Sequence, residues 1–195
     1  MKKPGNSVLM VFQGLLFVFC ILCCIYTIVM GGGHGALRGP AIVSIAALAA
    51  SVFYAVSGYK KSAAKAHKLM LTLSAAAALM CILLVVYDVE ALEAHRFMSG
   101  LAAVAYGLCF GLYLILTFVP DLGRKKSNTL IVVIFIVFTA LYLYSQINFP
   151  GPIFSDGSRY NVMRNMNLVS MMALALNAGI CNHFKYVDKA MRGRK

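Results

Sequence analysis

Six long apolar blocks, separated by short polar or Gly- and Pro-containing segments, dominate the sequence. Their approximate bounds are residues 8–30, 40–58, 68–88, 97–119, 129–148 and 163–184. Because a helix rises about 1.5 Å per residue, about 20 apolar residues cross a bilayer core that is about 30 Å thick. No block alternates apolar and polar residues over about ten positions, which is the pattern of a membrane β-barrel strand. The pattern predicts an all-α fold with six transmembrane helices.

The amino-acid composition also indicates a protein that lies in a lipid bilayer. Hydrophobic residues make up 61% of the 195 residues and charged residues only 12%, against about 25% charged residues in a usual soluble domain. So few charges would not cover the surface of a water-soluble domain of this length. We therefore expect residues 1–195 to form a single membrane domain, a polytopic integral membrane protein built as a bundle of six transmembrane helices.

The positions of the basic residues predict an orientation. Six crossings would place both termini and the second and fourth loops on one side, with fourteen basic residues against two acidic ones, Asp121 and Asp188. The basic residues are Lys2, Lys3, Lys60, Lys61, Lys65, Lys68, Arg124, Lys125, Lys126, Lys185, Lys189, Arg192, Arg194 and Lys195. The other side would hold four basic and four acidic residues, so the whole net charge of +12 falls on the first side. The positive-inside rule makes the N- and C-termini cytoplasmic.

The lipid bilayer accounts for the basic excess without nucleic acid as a partner. Lys and Arg side chains close to anionic headgroups gain about 1 kcal/mol each. A nucleic-acid role would require an additional basic soluble module, and the sequence contains none. We expect a multi-pass protein of the plasma membrane, which in a prokaryote is the inner or cytoplasmic membrane.

The chemistry-bearing motifs of common enzymes are absent. No Asp, Glu, Lys or Arg lies well inside any block, whereas proton pumps, voltage sensors and most ion-coupled carriers use buried ionisable groups. The sequence contains no G-x-S-x-G, no H-E-x-x-H and no P-loop. It therefore does not favour an enzyme. The six cysteines all fall inside blocks, where cysteine is a small packing residue.

Uncharged polar residues form a candidate binding seam between the fifth and sixth blocks. At 100° per residue, Thr139 lies on the same face as two polar residues of the fifth block, and Cys181 shares a face with three of the sixth. The candidate ligand-binding residues are Tyr142, Gln146, Asn167, Ser170 and Asn177. The alternative is that these groups bond to one another across the two helices, at about 0.6 kcal/mol per pair.

The four histidines raise a haem hypothesis. We expect His34 and His95 at the outer side and His67 and His183 at the cytoplasmic side, which is the minimum set for two bis-histidine b-type haems. Histidines at the ends of apolar segments also anchor helices at the interface. We predict no cofactor, with haem b as the alternative.

The functional prediction is a small-molecule binding or transport component that works with membrane or cytoplasmic partner subunits. One alternative is the b-type haem redox protein. Another is a non-catalytic scaffold or assembly subunit, since Ser99, Ala103, Gly107 and Gly111 give the fourth block a face on which helices approach closely. Packing within the bundle is the simpler use of that face. A further alternative is a peptidase that pairs His67 with Cys181.

Overall fold

Six α-helices make up nearly all of the chain that the structure describes, which is residues 4–30, 35–57, 64–87, 96–119, 122–148 and 159–192 of a computed structural model. The helices are α1 (Pro4–Met30), α2 (Gly35–Val56), α3 (Ala64–Tyr87), α4 (Arg96–Phe118), α5 (Arg124–Asn148) and α6 (Arg159–Arg192). Each helix overlaps one of the apolar blocks, and these ranges contain no strand. The prediction of an all-α fold is confirmed.

Five of these helices, α1 to α5, are long and apolar enough to cross a membrane. The longest helix, α6, has 34 residues but falls outside that group. Its asparagines lower its apolar character, although its length would suffice. Length and composition thus support the prediction of transmembrane helices for α1 to α5. They do not support it for α6, which is long enough but less apolar.

The position of α6 explains why it differs. Helices α1 to α5 contact one another in chain order, each against the next, while α6 contacts α1, α2, α3 and α5. Between residues 165 and 184 nearly every side chain of α6 is buried, apart from a stripe at spacings of three and four residues. That stripe is Val169, Met172, Leu176, Gly179 and His183. Because α6 is enclosed by its neighbours on its other faces, it does not need an apolar surface all round.

Apolar side chains cover the outward faces of the surrounding helices. On α1, Val11 is 64% exposed and Leu15 is 61% exposed, and further exposed residues follow at helical spacing. Similar exposed residues, such as Val104 on α4 and Ile136 on α5, continue this surface around the bundle. Soluble monomers rarely expose contiguous apolar patches of more than a few hundred Å². The surface is typical of a membrane protein.

A contact between two aromatic rings joins α4 to α5 in the core. The rings of Tyr106 and Phe138 lie with their centres 5.4 Å apart, and both side chains are almost fully buried. Nearby core positions on α4 and α6 are filled by Tyr113 and Leu174, which are also fully buried. All six cysteines are buried with free thiols, as expected for packing residues.

Two glycines on the small-residue face of α4 have no close neighbour among the described residues. A Cβ added at Gly107 or Gly111 would meet no atom within 4 Å, although Ser99 on the same face is buried. The prediction that these two glycines let a neighbouring helix of the same chain approach closely is wrong. Within the described ranges, no helix packs closely against these two glycines.

Contacts between helices show which helix termini lie together at each end of the bundle. The start of α3 meets the end of α4, where the Lys68 ammonium lies 5.5 Å from the centre of the Phe118 ring. The start of α5 meets the end of α6, where Ser127 bonds to Asn182. We call this end the basic end, because its described residues include Lys65, Lys68, Arg124, Lys125, Lys126 and Lys185. The other is called the opposite end.

Candidate functional site

Four buried asparagines lie along the central helix α6. Asn165, Asn167, Asn177 and Asn182 are all buried, and we refer to them as the α6 amides. At about 1.5 Å per residue they extend over about 25 Å of the helix. Burying a carboxamide in an apolar interior is unfavourable in free energy unless the group forms hydrogen bonds. The partners that each amide finds, or lacks, define the candidate site.

At the opposite end, α5 and α6 are joined by an amide pair. Gln146 Nε2 donates a hydrogen bond of 2.8 Å to Asn165 Oδ1. The structure therefore brings the predicted residue Gln146 to α6, where its partner is Asn165, which was not among the predicted residues. For Gln146 this is the cross-helix bonding that sequence analysis left as the alternative to ligand binding.

Two further residues of α5, Tyr142 and Thr139, belong to the predicted seam. Tyr142 is partly buried and packs against the main hydrophobic core. The Thr139 hydroxyl donates to the carbonyl oxygen of Phe135, four residues earlier in the same helix. The Thr139 hydroxyl is thus used within its own helix.

Asn167 is the most unusual of the α6 amides. Its side chain is 1% exposed, and neither Nδ2 nor Oδ1 has a hydrogen-bond partner among the described residues. An unmade hydrogen bond of this kind costs about 1–3 kcal/mol, and most buried polar groups in proteins avoid it by bonding to protein or to an ordered molecule. Ser170, one turn further along, is also buried. The unpaired Asn167 amide therefore marks a place where a hydrogen-bonding molecule would be stabilised.

A second incompletely bonded pair lies further along α6. Gln13 of α1 donates from Nε2 to Asn177 Oδ1 at 3.1 Å and to Cys181 Sγ at 3.3 Å. Gln13 Oε1 and Asn177 Nδ2 have no partner among the described residues. Sequence analysis grouped Asn177 with Cys181 but missed Gln13. The signal was present, since Gln13 is the only carboxamide within the first apolar block.

At the basic end the last α6 amide is bonded on both sides. Ser127 Oγ donates to Asn182 Oδ1 at 3.3 Å, and Asn182 Nδ2 donates to Asn128 Oδ1. This cluster was also missed by sequence analysis, because Ser127 and Asn128 lie just before the fifth predicted block. The α6 amides are thus satisfied at both ends of the bundle and unsatisfied between them.

Two of the four histidines of the haem hypothesis, His67 and His183, lie in the part of the chain that the structure describes. His67 is partly buried, with its ring centre 5.6 Å from that of Tyr54. His183 is exposed and meets Phe184 edge-on, while His34 and His95 lie outside the described residues. Among the described residues no set of three His, Cys, Asp or Glu side chains is placed to hold a metal ion. Haem binding stays a prediction, as does the pairing of His67 with Cys181.

The buried polar side chains of α6 offer hydrogen bonding by neutral groups. The buried polar side chains in the described ranges are hydroxyls and carboxamides, and none of them is charged. Each carboxamide offers two donors and one acceptor oxygen. Such groups recognise uncharged polar molecules and supply no general acid or base at neutral pH.

Comparison with known proteins adds no relative. The chain matches no protein-family model, no characterised protein and no solved structure. The features that bear on its function are the α6 amides and the helices around them.

Proposed function

We propose that the chain is a multi-pass membrane protein that binds or transports a small uncharged polar molecule and works with partner subunits. The observation that carries the proposal is Asn167 on the central helix, a buried amide whose two polar atoms have no hydrogen-bond partner among the described residues. A bound molecule that both donates and accepts a hydrogen bond would remove that cost.

The membrane position rests on the surface and on charge. Helices α1 to α5 turn apolar side chains outward, and α6 is sheltered among them. In the proposed orientation all six helices cross the bilayer, and the basic end faces the cytoplasm. Both termini then lie in the cytoplasm, and the membrane is the plasma membrane, which in a prokaryote is the inner membrane.

The chemistry of the ligand follows from the two unsatisfied places on α6. Asn167 supplies donors and an acceptor, and ten residues further the Gln13 and Asn177 pair supplies another free acceptor and free donor. The two places are separated by about 15 Å along the helix. No charged side chain is buried beside them in the described chain. A short polyol or a small amide matches these groups, whereas an ion would be left without a counter-charge.

Partner subunits would supply energy or regulation. The described residues at the basic end are well suited to meet an acidic partner, because they hold Lys65, Lys68 and the run Arg124 to Lys126. Passive passage of a neutral molecule needs no energy source. The chain alone is therefore enough to test the binding and passage step.

The test is the permeability of proteoliposomes to glycerol and urea, measured by stopped-flow light scattering with the full chain. We expect wild-type protein to raise glycerol or urea permeability above that of protein-free liposomes. Asn167→Leu, which keeps the branched shape of the side chain but removes both polar atoms, should lower that increase about tenfold, as expected for one lost hydrogen bond of about 1.4 kcal/mol.

A matched control is Thr139→Val on α5. This substitution also removes one polar group at constant shape, but the Thr139 hydroxyl bonds within its own helix, so permeability should stay within about twofold of wild type. Wild-type permeability equal to that of empty liposomes for both solutes would overturn the proposed function. Raised permeability that Asn167→Leu leaves unchanged would overturn the role of Asn167.

A further inference from the structure

A further buried polar group without a partner lies on α5. The Ser145 side chain is 0% exposed, and its Oγ has no hydrogen-bond partner among the described residues. Buried hydroxyls in a helix commonly bond to a carbonyl oxygen of the preceding turn, as Ser44, Ser74 and Thr117 do in this bundle. Ser145 makes no such bond, so its hydroxyl is available to a bound molecule.

Ser145 lies on the face of α5 that packs into the bundle. Phe138, Leu141 and Ser145 follow one another at spacings of three and four residues, and each is at most 5% exposed. Residues at these spacings share one face of a helix. The hydroxyl is therefore on the inward side of α5, not on the side that faces lipid in the proposed membrane position.

Ser145 and Asn167 lie at nearly the same depth in the bundle. Gln146 Nε2 bonds to Asn165 Oδ1 at 2.8 Å, which fixes the depth of α5 relative to α6. Toward the basic end, Ser145 is about 1.5 Å beyond Gln146 on α5, and on the antiparallel α6 Asn167 is about 3 Å beyond Asn165. Around their helices, Ser145 and Asn167 point about 100° and 200° away from these two bonded amides. Neither side chain can therefore take part in that bond.

The separation of the two helices sets the form of a ligand that contacts both side chains. Helices that pack together, as α5 and α6 do, have axes about 8–10 Å apart. A molecule that reaches both Asn167 and Ser145 needs polar groups at two ends of a short chain. Glycerol carries hydroxyls at both ends of three carbons, and each hydroxyl can donate and accept a hydrogen bond. The polar groups of urea surround a single carbon, so urea reaches only one of the two side chains.

We infer that Ser145 contacts the ligand of the Asn167 site and makes that site selective for short polyols over urea. The inference rests on the proposed function, for which it names the class of ligand. One hydroxyl of the polyol bonds to the Asn167 amide, and a hydroxyl at its other end bonds to Ser145 Oγ. Two buried groups that have no partner among the described residues then gain one from the same molecule.

The experiment measures glycerol and urea permeability of proteoliposomes that contain the full chain, by stopped-flow light scattering. Ser145→Ala should lower the ratio of glycerol to urea permeability about fivefold, because the lost hydroxyl contacts the far end of glycerol. In detergent without either solute, the same substitution should raise the melting temperature by about 2 °C, because it removes a buried hydroxyl whose hydrogen bond is not made.

The matched control is Ser74→Ala on α3. Ser74 is as deeply buried as Ser145, but its hydroxyl donates to the carbonyl oxygen of Met70 in its own helix. Its substitution should leave the permeability ratio within about twofold of wild type. A ratio for Ser145→Ala that also stays within twofold of wild type would overturn the inference, and so would a melting temperature below that of wild type, since the hydroxyl would then have a structural partner.

The two proposals fail in different ways. Wild-type protein that passes neither glycerol nor urea would overturn the proposed function and this inference with it. Wild-type permeability that Asn167→Leu reduces, with a ratio that Ser145→Ala leaves unchanged, would overturn the inference alone.

Discussion

Phe138→Ala should lower the melting temperature of the protein in detergent by about 10 °C. Phe138 is 1% exposed and packs on Tyr106 across the α4–α5 contact. Removing a buried aromatic ring leaves a cavity that the neighbouring helices cannot fill, at about 3 kcal/mol. For a chain of this length, a loss of about 3 kcal/mol in the free energy of unfolding lowers the melting temperature by about 10 °C.

The native cysteines can report the melting temperature. All six cysteines are buried and free, so a thiol-reactive fluorescent dye labels them only when the bundle opens. The control is Phe53→Ala, since Phe53 on α2 is 65% exposed and leaves no cavity when truncated. A shift for Phe138→Ala no larger than that for Phe53→Ala would contradict the packing of α4 on α5.

Gln13→Leu should destabilise the bundle by about 2 kcal/mol, or about 6 °C in melting temperature. The substitution removes the donor to Asn177 Oδ1 and leaves the whole Asn177 amide buried without a described side-chain partner. The cost arises from the amide that is left behind, not only from the bond that is lost. Circular dichroism is the suitable measurement, because Gln13 also contacts the Cys181 thiol.

The double variant Gln13→Leu with Asn177→Leu isolates that cause. Replacing both polar partners by apolar groups of similar shape leaves no unpaired group, so we expect the double variant to recover most of the lost stability. Thr72→Val is a control, because the exposed Thr72 hydroxyl bonds only to Lys68 in its own helix and should shift melting by less than about 2 °C. A double variant that melts below Gln13→Leu would contradict the pairing of α1 with α6.

The helices were predictable from the sequence because their signal is local. Each block of about 20 apolar residues is long enough to form a helix whatever its neighbours are, and all six blocks overlap helices. The central position of α6 was not predictable in this way. It depends on how six helices choose neighbours, and helical periodicity within one block contains no information on that choice.

The candidate site was also predictable from the sequence only in part. Periodicity placed Gln146 and Asn167 in one seam between α5 and α6, whereas the structure pairs Gln146 with Asn165. Asn165 and Asn167 are two residues apart and point about 200° away from each other around the helix, so the rotation of α6 decides the partner. Gln13 was overlooked because it lies more than 160 positions from Asn177 in the chain.

The central claim is that the chain crosses the membrane an even number of times with its basic end in the cytoplasm. Single cysteines introduced by Lys2→Cys, Lys195→Cys and Ser155→Cys test it with a membrane-impermeant maleimide, against the buried native thiols as background. We predict that in intact cells only Ser155→Cys is labelled, and that Lys2→Cys and Lys195→Cys are labelled after the membrane is opened. Labelling of either terminal variant in intact cells would contradict the account.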